Sequence, residues 1–330
     1  MKQPFILTNH PGGDRSRTWR TVADYIAPKK YTSSDTINSF INAYRLFRLR
    51  RHYDAVVLGG NAREDTFYLL LRRLYPFLKR PVVKNECLWY RGKPIAHRLK
   101  RVLFQFLDKA VDCYIVYARS EIQDFSETFG LPREKFKFIP YHTTLDIERV
   151  YPQMGEYLFS GGNSDRDYAQ LAEAVRGLDI SVIIACSYNK KLDGIDFPSN
   201  VKVVSVSPTE YRKLMAESGI NVVALRKGLL RSSGHQTFLN AMAMGKPVIV
   251  TDPKSAQDYI EDGIDGFLVA PSDHRRLREI IVTLKNNPKL AKRIGEVAKA
   301  KALEWDTEAH LSATAKLTKN VADTLKPICF

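Results

Sequence analysis

Short apolar runs of strand length alternate with amphipathic stretches of helix length along almost the whole chain, and this alternation restricts the architecture more than any other feature. The first set of runs lies at 5–8, 55–58, 81–84, 113–117 and 137–139, with helical patterns at 39–51, 66–75 and 97–109 between them. A second set starts at 157–160 and continues at 181–185, 202–204, 222–224, 247–251 and 267–269. Strand, helix and strand in succession build βαβ units, so two parallel sheets in series are expected. The expected class is α/β, with two doubly wound Rossmann-like domains facing a cleft. The polar stretch 145–155, which holds Pro152 and Gly155, marks the division. The expected domains are 1–150 and 151–307, followed by a terminal helix over 308–330 that packs back on the first domain.

Composition agrees with a folded chain. Its 330 residues are 44% hydrophobic and 26% charged, with 18 Gly and 16 Pro, which excludes fibrous and bulk-disordered classes. No apolar run approaches the ~18 residues needed to cross a bilayer, and the first ten residues do not form a signal peptide, so a cytoplasmic protein is expected. Cys87, Cys113, Cys186 and Cys329 show no metal-ligand spacing and are expected as reduced thiols.

Charge is distributed unevenly. The net charge is +15, and residues 45–109 alone hold 16 Lys/Arg against 5 Asp/Glu, a net +11. Tyr68, Tyr75, Phe77, Trp89, Tyr90, Phe104 and Phe106 are interleaved with these cations. A field of one sign attracts a polyanion, either nucleic acid or the anionic face of a membrane.

Three glycine pairs follow expected strands: Gly12-Gly13, Gly59-Gly60 and Gly161-Gly162. Each alone is an ordinary turn, but the first and third open the two halves in the same way, where a backbone can approach a phosphate. Neither a GxGxxG fingerprint nor a GxxxxGK[ST] loop occurs, so a nicotinamide cofactor is not indicated. The run Ser232-Ser233-Gly234-His235-Gln236-Thr237 directly precedes a helical pattern and is expected to supply a helix N-terminus, capped by Ser233, that receives a diphosphate. Arg166, Arg226 and Arg231 are candidate cationic partners, whereas Lys227 is expected on the solvated surface.

Residues 221–271, and above all the stretches AMAMGKPVIVTD (241–252) and DYIEDGIDGFLVAP (258–271), resemble the donor-binding half of group 1, retaining-type, GT-B glycosyltransferases. Weaker echoes are residues 135–146, similar to the interdomain segment, and 160–168, similar to the phosphate-proximal loop. The resemblance implies a second domain that binds a nucleotide-sugar, most simply a UDP-sugar, with no tightly bound cofactor and no metal. Gly12, Gly13, Gly162, Arg166, Arg231, Ser233, Gly234, His235, Gln236 and Thr237 would surround the diphosphate, and Ser205 would line the base pocket with its neighbours. In Asp165-Arg166-Asp167, Arg166 would face phosphate while Asp167 orients the loop. Two glutamates eight apart in many members fall here on Ser232 and Asn240. Asn240 would keep the ribose contact as an amide, and the stereochemistry is left open. Glu86, just after the third expected strand, would be the catalytic base, with Asp14 as the runner-up; His10 and His142 would be structural or sugar-contacting.

The expectation is therefore a cytoplasmic glycosyltransferase, peripheral on the inner face of the membrane. It would pass a sugar from a UDP-sugar to a lipid-linked or otherwise membrane-bound saccharide, in polysaccharide or surface-glycan assembly. An anionic membrane is the expected partner and nucleic acid is not. The alternatives are a nucleotide-sugar epimerase of the same fold and a non-catalytic polyanion-binding protein.

Overall fold

The computed structural model describes residues 4–11, 16–60, 62–145, 152–187 and 192–325. The chain divides into two compact units, Met1–Pro140 with Thr307–Phe330, and Tyr141–Asp306.

The first unit is built on a six-stranded parallel sheet of β1 (Ile6–Thr8), β2 (Ala23–Tyr25), β3 (Ala55–Leu58), β4 (Val82–Lys84), β5 (Cys113–Val116) and β6 (Phe136–Phe138), in the order β2-β1-β3-β4-β5-β6. β1, β3 and β5 are buried along their whole length, as near-continuous apolar strands covered on both faces must be. The edge strand β2 was not expected. It has three residues with Asp24 at its centre and no apolar run, and only its register with β1, Ile6 opposite Ala23 and Thr8 opposite Tyr25, makes it a strand. α1 (Arg17–Val22), α2 (Asp35–Leu49), α3 (Ala62–Leu74), α4 (Pro94–Asp108) and α5 (Arg119–Phe129) connect the strands. Ser16 and Ser34 cap α1 and α2 by accepting from Trp19 N and Ile37 N, and Gly130 ends α5 in the left-handed region.

The second unit holds β7 (Leu158–Gly161), α6 (Tyr168–Val175), β8 (Val182–Ala185), β9 (Val201–Val204), α7 (Pro208–Ala216), β10 (Ile220–Val223), α8 (His235–Ala243), β11 (Val248–Val250), α9 (Pro253–Ala256), β12 (Phe267–Leu268), α10 (His274–Asn286) and α11 (Pro288–Ala302). Its sheet is again six-stranded and parallel, ordered β12-β11-β10-β7-β8-β9. Leu158, Val182, Ile184, Val222 and Ile249 from the strands pack with Leu171, Val175, Ile281 and Ile294 from the helices. The chain steps outward from β7 to β8 and β9, then returns to the other side of β7 with β10. Connections diverge there, and the crevice beyond the carboxyl ends of β7 and β10 is where a doubly wound sheet takes its ligand. In the first unit the same reversal separates β1 from β3.

The last helix, α12 (Thr307–Thr324), belongs to the first unit. Glu308 Oε2 accepts from Arg17 N at 2.7 Å and Oε1 from Thr18 N at 3.1 Å, so a carboxylate near the end of the chain sits at the N-terminus of α1. The Thr18 hydroxyl and these amides hold the Glu308 carboxyl below its ordinary value. The division between units falls ten residues before the expected one. Residues 141–145 join the second unit because Tyr141 N donates to Tyr259 Oη at 2.8 Å and Thr143 N to Trp305 O at 2.8 Å. Cys87, Cys113 and Cys186 are buried thiols; Cys329 lies outside the described residues.

Candidate functional site

At the β7/β10 crevice two loops are tied together. Arg166, in the loop after β7, is buried, and its guanidinium donates from Nε to Gly161 O at 2.9 Å, from Nη1 to Ser164 O at 2.8 Å and from Nη2 to Thr237 Oγ1 at 3.0 Å. Gly162 has φ +121°, and a Cβ there would stand 2.5 Å from Arg166 Nη2. Glycine is thus needed for the guanidinium to lie across the loop. The loop after β10 returns the contact: Asp167 N donates to Ala224 O at 2.9 Å, Arg226 N to Asp165 O at 3.0 Å, and Arg226 Nε to Arg166 O at 3.1 Å. Asp165 Oδ2 lies 2.8 Å from Arg231 Nη2, and Asp167 caps α6 by accepting from Gln170 N. The two carboxylates of Asp165-Arg166-Asp167 therefore serve different partners.

The N-cap of α8 is Gly234, with φ +80°, one residue beyond Ser233. The expected Ser233 cap gives way to this left-handed glycine, since a Cβ on Gly234 would stand 2.7 Å from Val223 Cγ1. Ser232 and Ser233 are buried, Gln236 is exposed and Thr237 is half-buried beside Arg166. His235 is the first residue of α8. Its ring is buried against Tyr259 and Phe238, with centroids 4.8 and 5.0 Å away. Burial drives the imidazole down to about 3, outweighing a backbone hydrogen bond at Ser255. The ring is thus held among aromatic side chains.

Asn240 is committed as well. Its Oδ1 accepts from Thr143 Oγ1 at 2.8 Å and Thr144 N at 2.9 Å, while its Nδ2 and Gln236 Nε2 donate to Thr144 Oγ1 at 3.2 and 2.9 Å. These bonds clamp α8 to residues 143–144. Next to this clamp His142 stacks on Tyr141. Ser205 is exposed just past the edge strand β9, and Ser207 caps α7. Tyr211, which the sequence did not single out, stands over Gly161 and bonds Thr237, with its ring edge-on to Phe159 at 5.2 Å.

The carboxyl ends of β1, β3 and β4 gather a second polar cluster in the first unit. Asn9 Nδ2 donates to Glu64 Oε1 at 2.9 Å and Asp65 Oδ1 at 2.8 Å, its Oδ1 accepts from Gly59 N at 3.1 Å, and Lys84 Nζ reaches Asp65 Oδ2 at 2.7 Å. Desolvation raises the Glu64 carboxyl above its usual range. Glu86, directly after β4, has φ +53°, and its Oε1 lies 3.6 Å from His10 Nε2. Its side chain is 34% exposed while that of His10 is 9% exposed, so a base candidate and a buried imidazole meet at the end of this sheet. Asp14, Gly12 and Gly13 lie outside the described residues.

Residues 199–301, from just before β9 to α11, match the family described as glycosyl transferases group 1. The matched stretch lies within the second unit. Solved structures agree in fold. A glycosyltransferase from Rickettsia africae aligns with a TM-score of 0.68 at 14% identity, over 96% of this chain and 89% of that one. HepE from Anabaena, solved with UDP, gives 0.67 at 15% identity over 98% and 99%. Sucrose-phosphate synthase from Thermosynechococcus elongatus gives 0.66 at 14% over 92% and 84%. No curated protein sequence matches the chain. The family match takes in β10 and α8, which form one side of the crevice, while β7 and its Arg166 loop precede it.

Proposed function

We propose that this glycosyltransferase moves a sugar from a UDP-sugar, held at the β7/β10 crevice, to a saccharide acceptor anchored in an anionic membrane. The observation that carries the donor assignment is the Arg166 bracket, which fixes the loop after β7 against the first turn of α8 at the one place where this sheet's connections diverge. A helix N-terminus and its backbone N–H groups favour a diphosphate there. HepE, whose fold this chain shares, has been solved with UDP and with UDP-glucose. Transfer breaks the bond between the anomeric carbon and the diphosphate oxygen, forms one to an acceptor oxygen, and moves the acceptor's hydroxyl proton to a base. Glu86 fits the base role, with His10 3.6 Å away to share the proton.

The membrane part rests on the +11 of residues 45–109. Among the described residues no helix is long and apolar enough to cross a membrane. The test is incubation of the purified protein with a panel of labelled nucleotide-sugars, with and without a membrane extract. Label passing from a UDP-sugar into the lipid-extractable fraction supports the assignment. Release of UDP or interconversion of the sugar with no need for acceptor supports the epimerase alternative, and absence of nucleotide binding supports a non-catalytic protein.

A further inference from the structure

The face that α4 turns to solvent is the apolar one. Ile95, Leu99, Val102, Leu103 and Phe106 recur at i, i+4, i+7, i+8 and i+11 and form one stripe, with Ile95 78%, Leu99 69% and Val102 67% exposed. The helix docks on its own unit through the other side: Phe104 packs 4.7 Å from Trp89 and 4.9 Å from Phe129, His97 lies 5.8 Å from Phe129, and Leu107 is buried. A surface helix ordinarily shows water its polar face, and a contiguous apolar patch of this kind marks a contact surface.

Charge states what it contacts. Residues 88–107 contain Arg91, Lys93, Arg98, Lys100 and Arg101 and no Asp or Glu at all. Arg73, at the end of the neighbouring α3, stands 5.1 Å over the Phe106 ring, and its Nε is buried without a partner. Beside it opens a cavity of about 310 Å3 lined by Arg72, Arg73, Phe77, Lys79, Lys109 and Asp112, among others. Asp112, the one acid there, is already bonded to Arg72 at 2.9 Å. Phe77, 80% exposed, also lines this cavity. Exposed apolar side chains on a segment that carries Lys and Arg but no acid complement an anionic bilayer, with acyl chains below and phosphates around.

We propose that α4 lies in the interface of an anionic membrane, with Ile95, Leu99, Val102 and Phe106 among the acyl chains and the Arg73–Lys79–Lys109 cavity on a lipid phosphate. This deepens the assignment of a membrane-held acceptor and rests on it. The test is flotation of the full-length protein with phosphatidylcholine vesicles that contain or lack 30% phosphatidylglycerol. Wild type is expected to float only with the anionic vesicles. The double variant Leu99→Glu/Val102→Glu is expected to lose at least tenfold in bound fraction while binding UDP as wild type does. The charge-matched control Val297→Glu/Leu303→Glu, at exposed positions of the second unit, is expected to float like wild type. Unchanged flotation of the α4 variant overturns the proposal and leaves the membrane-held acceptor standing. Failure of the wild type to float overturns both. Equal binding to neutral vesicles, or a stripe that proves to be a dimer interface because the variant converts a dimer to monomer, also overturns it.

Discussion

Arg166 Nη2 donates to Thr237 Oγ1 at 3.0 Å, and the same guanidinium holds two carbonyls of its own loop, so one side chain sets the distance between the β7 loop and the start of α8. A lysine keeps the charge but cannot reach three acceptors in a plane. Arg166→Lys is expected to weaken UDP binding about tenfold or more, because each lost hydrogen bond of a charged group is worth roughly 1.5–3 kcal/mol. Thr237→Val, which removes one of the three contacts, is expected to cost less. Calorimetric titration with UDP checks both, and equal affinity for Arg166→Lys and wild type would contradict the bracket's role.

Asn240 closes a different joint. Asn240→Leu leaves the Thr143 hydroxyl and the Thr144 amide without their acceptor. A lost buried hydrogen-bond partner costs about 1–3 kcal/mol, so the melting temperature is expected to fall. Asn240→Asp keeps the acceptor oxygen and is expected to melt near wild type. Differential scanning fluorimetry separates the two variants. A fall in UDP affinity with no change in melting would instead mean that the amide faces the ribose.

His235 makes the domain sensitive to acid. Its folded value of about 3 lies below the ordinary imidazole value of 6.5, so between these the unfolded chain takes up the proton first. Stability is therefore full above about pH 6.5 and is lost as pH falls, by about 2–3 kcal/mol at pH 4.5 from this group. His235→Phe is expected to flatten that part of the pH profile. Denaturant melts at pH 7 and pH 4.5 measure it, and an unchanged slope in the variant would show that the imidazole is not the group responsible.

The Glu86–His10 pair bears on turnover. Glu86→Gln keeps the shape but removes the base, and general acid–base catalysis typically contributes 10²–10⁴-fold. The expected result is a loss of turnover of about that size with UDP affinity intact. Steady-state kinetics beside UDP calorimetry decides it; an affinity loss with normal turnover would take Glu86 out of catalysis.

The strands of both sheets could be foreseen because buried parallel strands are short, continuous apolar runs, as in 55–58 and 182–185. β2 could not, because Ala23–Tyr25 has no apolar run and gains its strand character from pairing with β1 alone. The loops at the second sheet's reversal were legible from their glycines, but the partners of the side chains were not. Nothing in the sequence around Asn240 shows that Thr143 and Thr144, nearly a hundred residues upstream, bond its oxygen. His235 looked polar because its neighbours in sequence are polar, whereas Tyr259 and the fold make its surroundings aromatic. Tyr211 carries no local signal for the same reason: only the packing of α7 on β7 brings it over Gly161. The cluster of Asn9, Glu64, Asp65 and Lys84 follows Gly59-Gly60, and two acids in the first turn after that pair were the available signal.

The most direct test of the donor site is hydrogen exchange of the full-length protein with and without saturating UDP. The account predicts slowed exchange confined to two stretches of the second unit, residues 160–168 after β7 and 231–240 at the start of α8. Protection in the first unit alone, or none in either stretch while UDP is bound, would contradict it.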